Sequence, residues 1–194
     1  MKKLSLILCI SLLLFSVQQA TADDKPAAGP GFEIGAFGGY NMLLNNNDQI
    51  QSPTKGGIAF GAKAAFVMPV ISAGLSVGYF PIYHANWSVA SVSYDYTSYV
   101  VPIDAFAQLS LGPIYLLGGV GIYSLHSTIS PTVTIANSTG SSSKFGYELG
   151  AGFTFGTAPV NFELGGLYQQ ITGNGNWNPS MFSILAGINF VFNM

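Results

Sequence analysis

Arginine is missing from this chain of 194 residues, and its only strong bases are six lysines. Charged residues make up 7% of the sequence, against about 25% in an ordinary soluble domain. So few charges cannot cover a water-facing surface of ordinary polarity. With no basic patch, nucleic-acid binding has no support. Cysteine occurs once, as Cys9, so no intrachain disulfide or Cys-based metal site can form. Long apolar runs are also scarce. Beyond the N-terminal segment none reaches the ~18 residues that argue for a transmembrane helix. Yet 49% of residues are hydrophobic, with 24 glycines, 14 phenylalanines and 10 tyrosines. Either this is an unusually uncharged exported β-domain or its apolar surface faces lipid.

The first residues read as an export signal. Lys2 and Lys3 give a positive start, LSLILCISLLLFSV is apolar, and Ala20-Thr21-Ala22 supplies a small-residue cleavage site at Ala20 and Ala22. Residues 1–22 are therefore expected to be removed, together with Cys9. Leu8 is too bulky to precede a lipoprotein processing cysteine. Residues 23–31, with DDKPAAGP, read as a short leader, and 32–194 as one domain. Four lysines (Lys25, Lys55, Lys63 and Lys144) then face eight carboxylates, a formal charge of −4.

Past the leader the sequence alternates with period two, the period of a β-strand. In Ser143 to Phe155, Phe145, Tyr147, Leu149, Ala151, Phe153 and Phe155 share one face. Lys144, Gly146, Glu148, Gly150, Gly152 and Thr154 share the other. Eight segments of this kind follow one another: Phe32–Leu43, Gly57–Met68, Ile71–Tyr83, Tyr96–Leu111, Ile114–Leu125, Ser143–Phe155, Val160–Ile171 and Met181–Phe192. The fifth is apolar on both faces, so its phase stays open. About 10 alternating residues suffice for a tilted strand to cross an outer membrane.

The links alternate in length. Pro69-Val70, Gly112-Pro113 and Gly156–Pro159 are tight. Leu44–Gly56, Ala85–Asp95 and His126–Ser142 read as long, and Thr172–Pro179 as intermediate. Outer-membrane barrels put short turns in the periplasm and long loops outside, which would leave both termini periplasmic. Aromatics sort by end. Tyr40, Tyr83, Tyr94, Tyr96, Tyr99, Tyr123 and Tyr168 lie toward the long links, and Phe32, Phe66, Phe153, Phe155, Phe162, Phe190 and Phe192 toward the tight ones. Two such girdles match two membrane interfaces. The expected fold is all-β: an eight-stranded antiparallel up-and-down transmembrane β-barrel, closed because unpaired edges cannot face hydrocarbon.

On these segments and on the C-terminal AGINFVF, the chain resembles the eight-stranded outer-membrane β-barrels of the outer-membrane protein A and X type. The resemblance implies that Gly187, Phe190 and Phe192 form the last-strand signal read by the barrel-assembly machinery. Asn193-Met194 follow, where the family often ends on the aromatic. It also implies a monomer set among outer-membrane lipid and lipopolysaccharide, and it specifies no activity.

Motifs for chemistry are weak. Gly74-Leu75-Ser76-Val77-Gly78 fits G-x-S-x-G, but that chemistry needs a strand-to-helix turn, and the match sits inside an alternating, glycine-rich strand. His84 and His126 lack the sequence surroundings of a lipid A deacylase, and without an acidic cluster they make a poor metal site. No catalytic, cofactor or metal residues are assigned. Asn86-Trp87-Ser88 and Asn137-Ser138-Thr139 match glycosylation acceptors that mean little in a bacterial envelope. By parity Glu33, Lys63, Asp104, Lys144, Glu148 and Glu163 point inward, either as a charge network plugging the barrel or as a selectivity lining. An interior this narrow favours the plug. The expected function is structural, surface-interacting or adhesive, through loops that meet an extracellular ligand. A narrow conduit for small or hydrophobic solutes is the rival, and a lipid A-modifying enzyme the remote one.

Overall fold

A computed structural model describes residues 30–44, 54–89, 92–131, 138–172 and 178–194. Eight strands follow in chain order: β1 (Gly31–Leu43), β2 (Thr54–Val67), β3 (Ile71–Val89), β4 (Val92–Leu111), β5 (Ile114–Pro131), β6 (Ser138–Thr157), β7 (Val160–Ile171) and β8 (Ser180–Asn193). Each pairs antiparallel with its chain neighbours, and β1 pairs with β8 from Gly31↔Asn193 to Leu43↔Met181, closing the ring. The expected cleavage site at Ala20 and Ala22 and almost all of the leader lie outside the described residues. Gly31, assigned to the leader, already belongs to β1.

Alternation does the sorting. Ile58, Leu75, Ile103, Leu149, Ile184 and Phe192 on the outer face are more than half exposed, and Val120 is half exposed. On the inner face Lys63, Asp104, Glu148, Gln169 and Asn189 are almost wholly buried. A wall that exposes its large apolar side chains and hides its charges is inside out for water. It requires hydrocarbon outside, and closure gives each strand of the crossing band a partner on both sides. The fifth strand takes a definite phase: Tyr115, Leu117, Gly119, Gly121 and Tyr123 face inward, while Ile114, Leu116, Val120 and Ile122 face outward.

One end of the ring carries tight turns. Gly112, with φ of 67°, occupies the left-handed region that glycine enters without steric cost, and it lets Gly112-Pro113 reverse the chain. At the other end the structure corrects the sequence reading. Ala85–Asp95 and His126–Ser142 were expected to be long links, but they are mostly strand. Only residues 90–91 separate β3 from β4, and only 132–137 separate β5 from β6. β3–β6 are 18 to 20 residues long, whereas β7, β8, β1 and β2 are 12 to 14. β3–β6 therefore rise beyond the rest of the ring as a four-stranded sheet.

The girdle assignment also needs correction. Tyr40 stays outside, but Tyr83 and Tyr123 are buried and Tyr96 packs against the inner core. A register shift between Pro81 and Tyr83 breaks the alternation of β3, so consecutive Ile82 and Tyr83 are both buried.

Candidate functional site

The barrel interior is layered. Nearest the tight turns, Lys63 of β2 donates to Glu163 of β7 at 2.7 Å and meets Glu33 of β1 at 3.0 Å. Gln108 of β4 donates to the other oxygen of Glu163 at 3.4 Å. One ammonium thus ties three strands across the lumen, and Gln108 adds a fourth through Glu163. A buried ion pair requires good geometry and extra hydrogen bonds to offset desolvation, and this cluster has both.

One layer further up, Asp104 of β4 and Glu148 of β6 sit with Gln169 of β7 and Tyr123 of β5. Gln169 donates to Glu148 Oε2 at 3.4 Å. Lys63 does not reach either carboxylate, because it is engaged by Glu33 and Glu163. Lys144 stands opposite Tyr123 in the ladder and has no carboxylate within salt-bridge distance among the described residues. The six charged residues read from parity therefore fall into a paired cluster (Glu33, Lys63, Glu163), an acidic pair (Asp104, Glu148) and an isolated cation (Lys144).

Above the acids the lumen turns apolar. Leu43, Ala59, Phe80, Ile82, Tyr83, Val100, Tyr123, Ile171 and Met181 form one buried cluster. A small polar knot crosses it: Ser183 donates to Asn41 Oδ1 at 2.9 Å, and Asn41 Nδ2 donates to the Pro81 carbonyl at 2.7 Å. Sequence parity missed this layer. Its signal is an inward aromatic set beside an inward glycine on the neighbouring strand. A Cβ at Gly146 would stand 2.6 Å from the Tyr123 ring. That pattern appears only once the register is known. Between the layers lies a cavity of about 70 Å³, lined by Lys63, Asp104, Glu148, Glu163 and Gln169 among others. It has room for a few waters.

The other sequence candidates are placed as follows. Gly74–Gly78 lies in mid-strand, where Ser76 stands opposite Lys63 and Asp104 rather than on a turn. His84 lies 3.6 Å from Asp95, half exposed, and His126 stacks on Tyr99 at 5.0 Å. Gly187 faces the lumen opposite Glu163, and Phe190 and Phe192 face outward opposite Ile34 and Phe32. No group of three His, Cys, Asp or Glu residues converges among the described residues.

At the long end, β7 leaves the wall early. Its last pairs are Gly146↔Ile171 and Tyr147↔Gln170, and just beyond them Thr172 donates its N–H to the Phe145 carbonyl at 2.8 Å. Residues 138–144 of β6 continue upward, paired only with β5 among the described residues. Phe145 points its backbone groups toward β7. In an antiparallel strand Ser143, Ser141 and Thr139 must therefore turn theirs the same way, onto an edge that no described strand covers.

Comparison with known proteins agrees with this geometry. The sequence model of the family described as "Outer membrane protein beta-barrel domain" matches residues 7–190. No curated protein sequence matches the chain. Among solved structures, Neisserial surface protein A is similar at 16% identity and a TM-score of 0.53, over 84% of this chain and 98% of that one. The attachment invasion locus protein of Yersinia pestis, in complex with the heparin analogue sucrose octasulfate, is similar at 16% identity and 0.53, over 84% and 99%. At such identities the likeness is one of fold.

Proposed function

Because the chain belongs to the outer membrane protein β-barrel family, we propose that its barrel is a sealed anchor and that the tall β3–β6 sheet is its working part, engaging partners outside the cell. One observation carries this reading: the sheet continues past the membrane-crossing band and ends in a β6 edge that no described strand pairs with. Crossing takes about 10 residues per strand, which β7 achieves with 12, so the additional residues of β3–β6 are not needed for spanning. An uncovered edge presents N–H and C=O groups that pair readily with an extended peptide. Serines at 141, 142 and 143 keep that edge polar and free of bulky side chains. In this reading the tight turns and both termini are periplasmic, residues 1–22 are removed on export, and Gly187, Phe190 and Phe192 serve assembly. The protein is a monomer and no catalysis is assigned to it.

A sulfated polyanion is not carried over from the Yersinia complex. The chain has no arginine, and Lys63 is committed to the lumen. The conduit reading is weakened by the apolar layer, which closes the lumen above the acids.

The test uses a proline on the open edge. Ser141→Pro and Ser143→Pro remove N–H groups that face away from β5 and leave the β5–β6 ladder in place. Captured surface partners should be lost from both variants while the barrel still folds. Unchanged capture by both variants would show that the edge is not the contact.

A further inference from the structure

The acidic pair is a poor plug. Among the described residues Lys63 is the one ammonium within ion-pair distance of any inward carboxylate, and it is held by Glu33 and Glu163. Asp104 and Glu148 are left without a cationic partner, although Asp104 is 1% exposed and Glu148 4%. Two further oxygens stand with them. Asp104 Oδ1 and the Gln169 carbonyl oxygen are buried without a partner of good hydrogen-bond geometry, and the Tyr123 hydroxyl stands beside both side chains. Asp104, Glu148 and Gln169 also line the lumen cavity.

Two bare β5 positions shape this cluster. A Cβ at Gly119 would stand 2.8 Å from Glu148 Oε1, and one at Gly121 would collide with Asp104 Oδ1. The two carboxylates rest on the strand where glycine leaves room for them. A buried, unpaired acceptor normally finds a partner. In this cluster the oxygens left over belong to a carboxylate and an amide, and Asp104, Glu148 and Gln169 all line the same cavity.

We propose that Asp104, Glu148, Gln169 and Tyr123 form an interior site for a hard divalent cation of the calcium class. Two carboxylates supply the charge that a divalent ion neutralises, the Gln169 amide oxygen is a hard donor of the kind calcium accepts, and the Tyr123 hydroxyl stands beside them. The cavity gives room for the waters that complete its six to eight ligands, with none of the rigid octahedral geometry that magnesium demands. The bound ion does for the acids what Lys63 does for Glu33 and Glu163: it ties β4, β6 and β7 across the lumen. The site does not depend on what the β6 edge binds.

The experiment uses the mature barrel refolded in uncharged detergent without lipopolysaccharide, with calcium chloride or EDTA present during refolding. Calcium should raise the unfolding midpoint saturably. Terbium added to the unmodified barrel should show luminescence excited through tyrosine that calcium displaces. Asp104→Asn combined with Glu148→Gln should weaken both responses at least tenfold. The proposal is overturned if the unmodified barrel shows neither response, if the double variant responds as strongly as the parent, or if acid stabilises the barrel while calcium at neutral pH does not. The terbium–calcium competition needs no variant, so it decides the matter even where the double variant fails to fold.

Discussion

The two halves of the ring differ in length, and the difference separates holding from presenting. β7, β8, β1 and β2 stop after 12 to 14 residues, close to what a tilted crossing needs, whereas β3–β6 continue to 18 to 20. At about 3.3 Å per residue, β4 is longer than β7 by roughly 26 Å of strand. All eight strands show apolar-out alternation inside the crossing band, and it fades above that band in β3–β6. There Ser138–Ser143 are exposed on both faces, as a strand wet on both sides should be. The short half is constrained by lipid and lumen together. Above the crossing band the tall half is constrained only by its own ladder.

The comparison breaks most visibly at Lys63. If the lumen holds the barrel together, Lys63→Met strands Glu33 and Glu163 and should lower unfolding stability by roughly 3–5 kcal/mol in a denaturant titration. Lys144→Met, in a residue without an ion pair, should cost less than about 1 kcal/mol. Equal effects would erase the distinction between the two cations. The Lys63 variant should also carry no new single-channel current, because the apolar layer above it is intact. A current would show that the lumen is a gated conduit.

The next effect lies on the lipid face of the short half. Phe192→Ala removes an aromatic that stands opposite Phe32, a loss of up to about 3 kcal/mol when the side chain faces hydrocarbon. If Phe192 is also part of the assembly signal, barrel yield in cells should fall further than refolding in detergent does. A parallel fall in both would leave only the stability term.

The smallest effect is expected in the tall half. Replacing Ser127–Ser142 by a short turn should leave the difference in gel migration before and after boiling unchanged. It should shift the unfolding midpoint by no more than ordinary surface changes do, about 0.5 kcal/mol. A large loss would mean that β5 and β6 need their upper ladders to close the ring.

Much of this was legible before any coordinates. β7 runs Val160–Ile171 as its alternation predicts, because lipid outside and polar groups inside leave no other phase. The inward positions of Glu33, Lys63 and Glu163 follow from the same rule. The upper strands were misread as loops for the converse reason. Where both faces meet water, Asn, Ser and Thr carry no alternation, and composition alone resembles a link. The Phe80, Tyr123 and Met181 layer stayed hidden because an inward aromatic is accommodated by a glycine on the adjacent strand, and strand register is not written in any one segment. The separation of six inward charges into one ion-paired cluster, one acidic pair and Lys144 alone likewise depends on which residues stand level across the lumen.

The measurement that bears most directly on anchor and presenter is single-cysteine labelling. The only native cysteine, Cys9, lies in the expected signal segment, so a cysteine placed in the mature chain reports alone. With a membrane-impermeant maleimide on intact cells, Ser142→Cys should label readily, and Pro113→Cys only after the outer membrane is permeabilised. Labelling of Pro113→Cys on intact cells, with Ser142→Cys protected, would put the tall sheet on the periplasmic side and contradict the account.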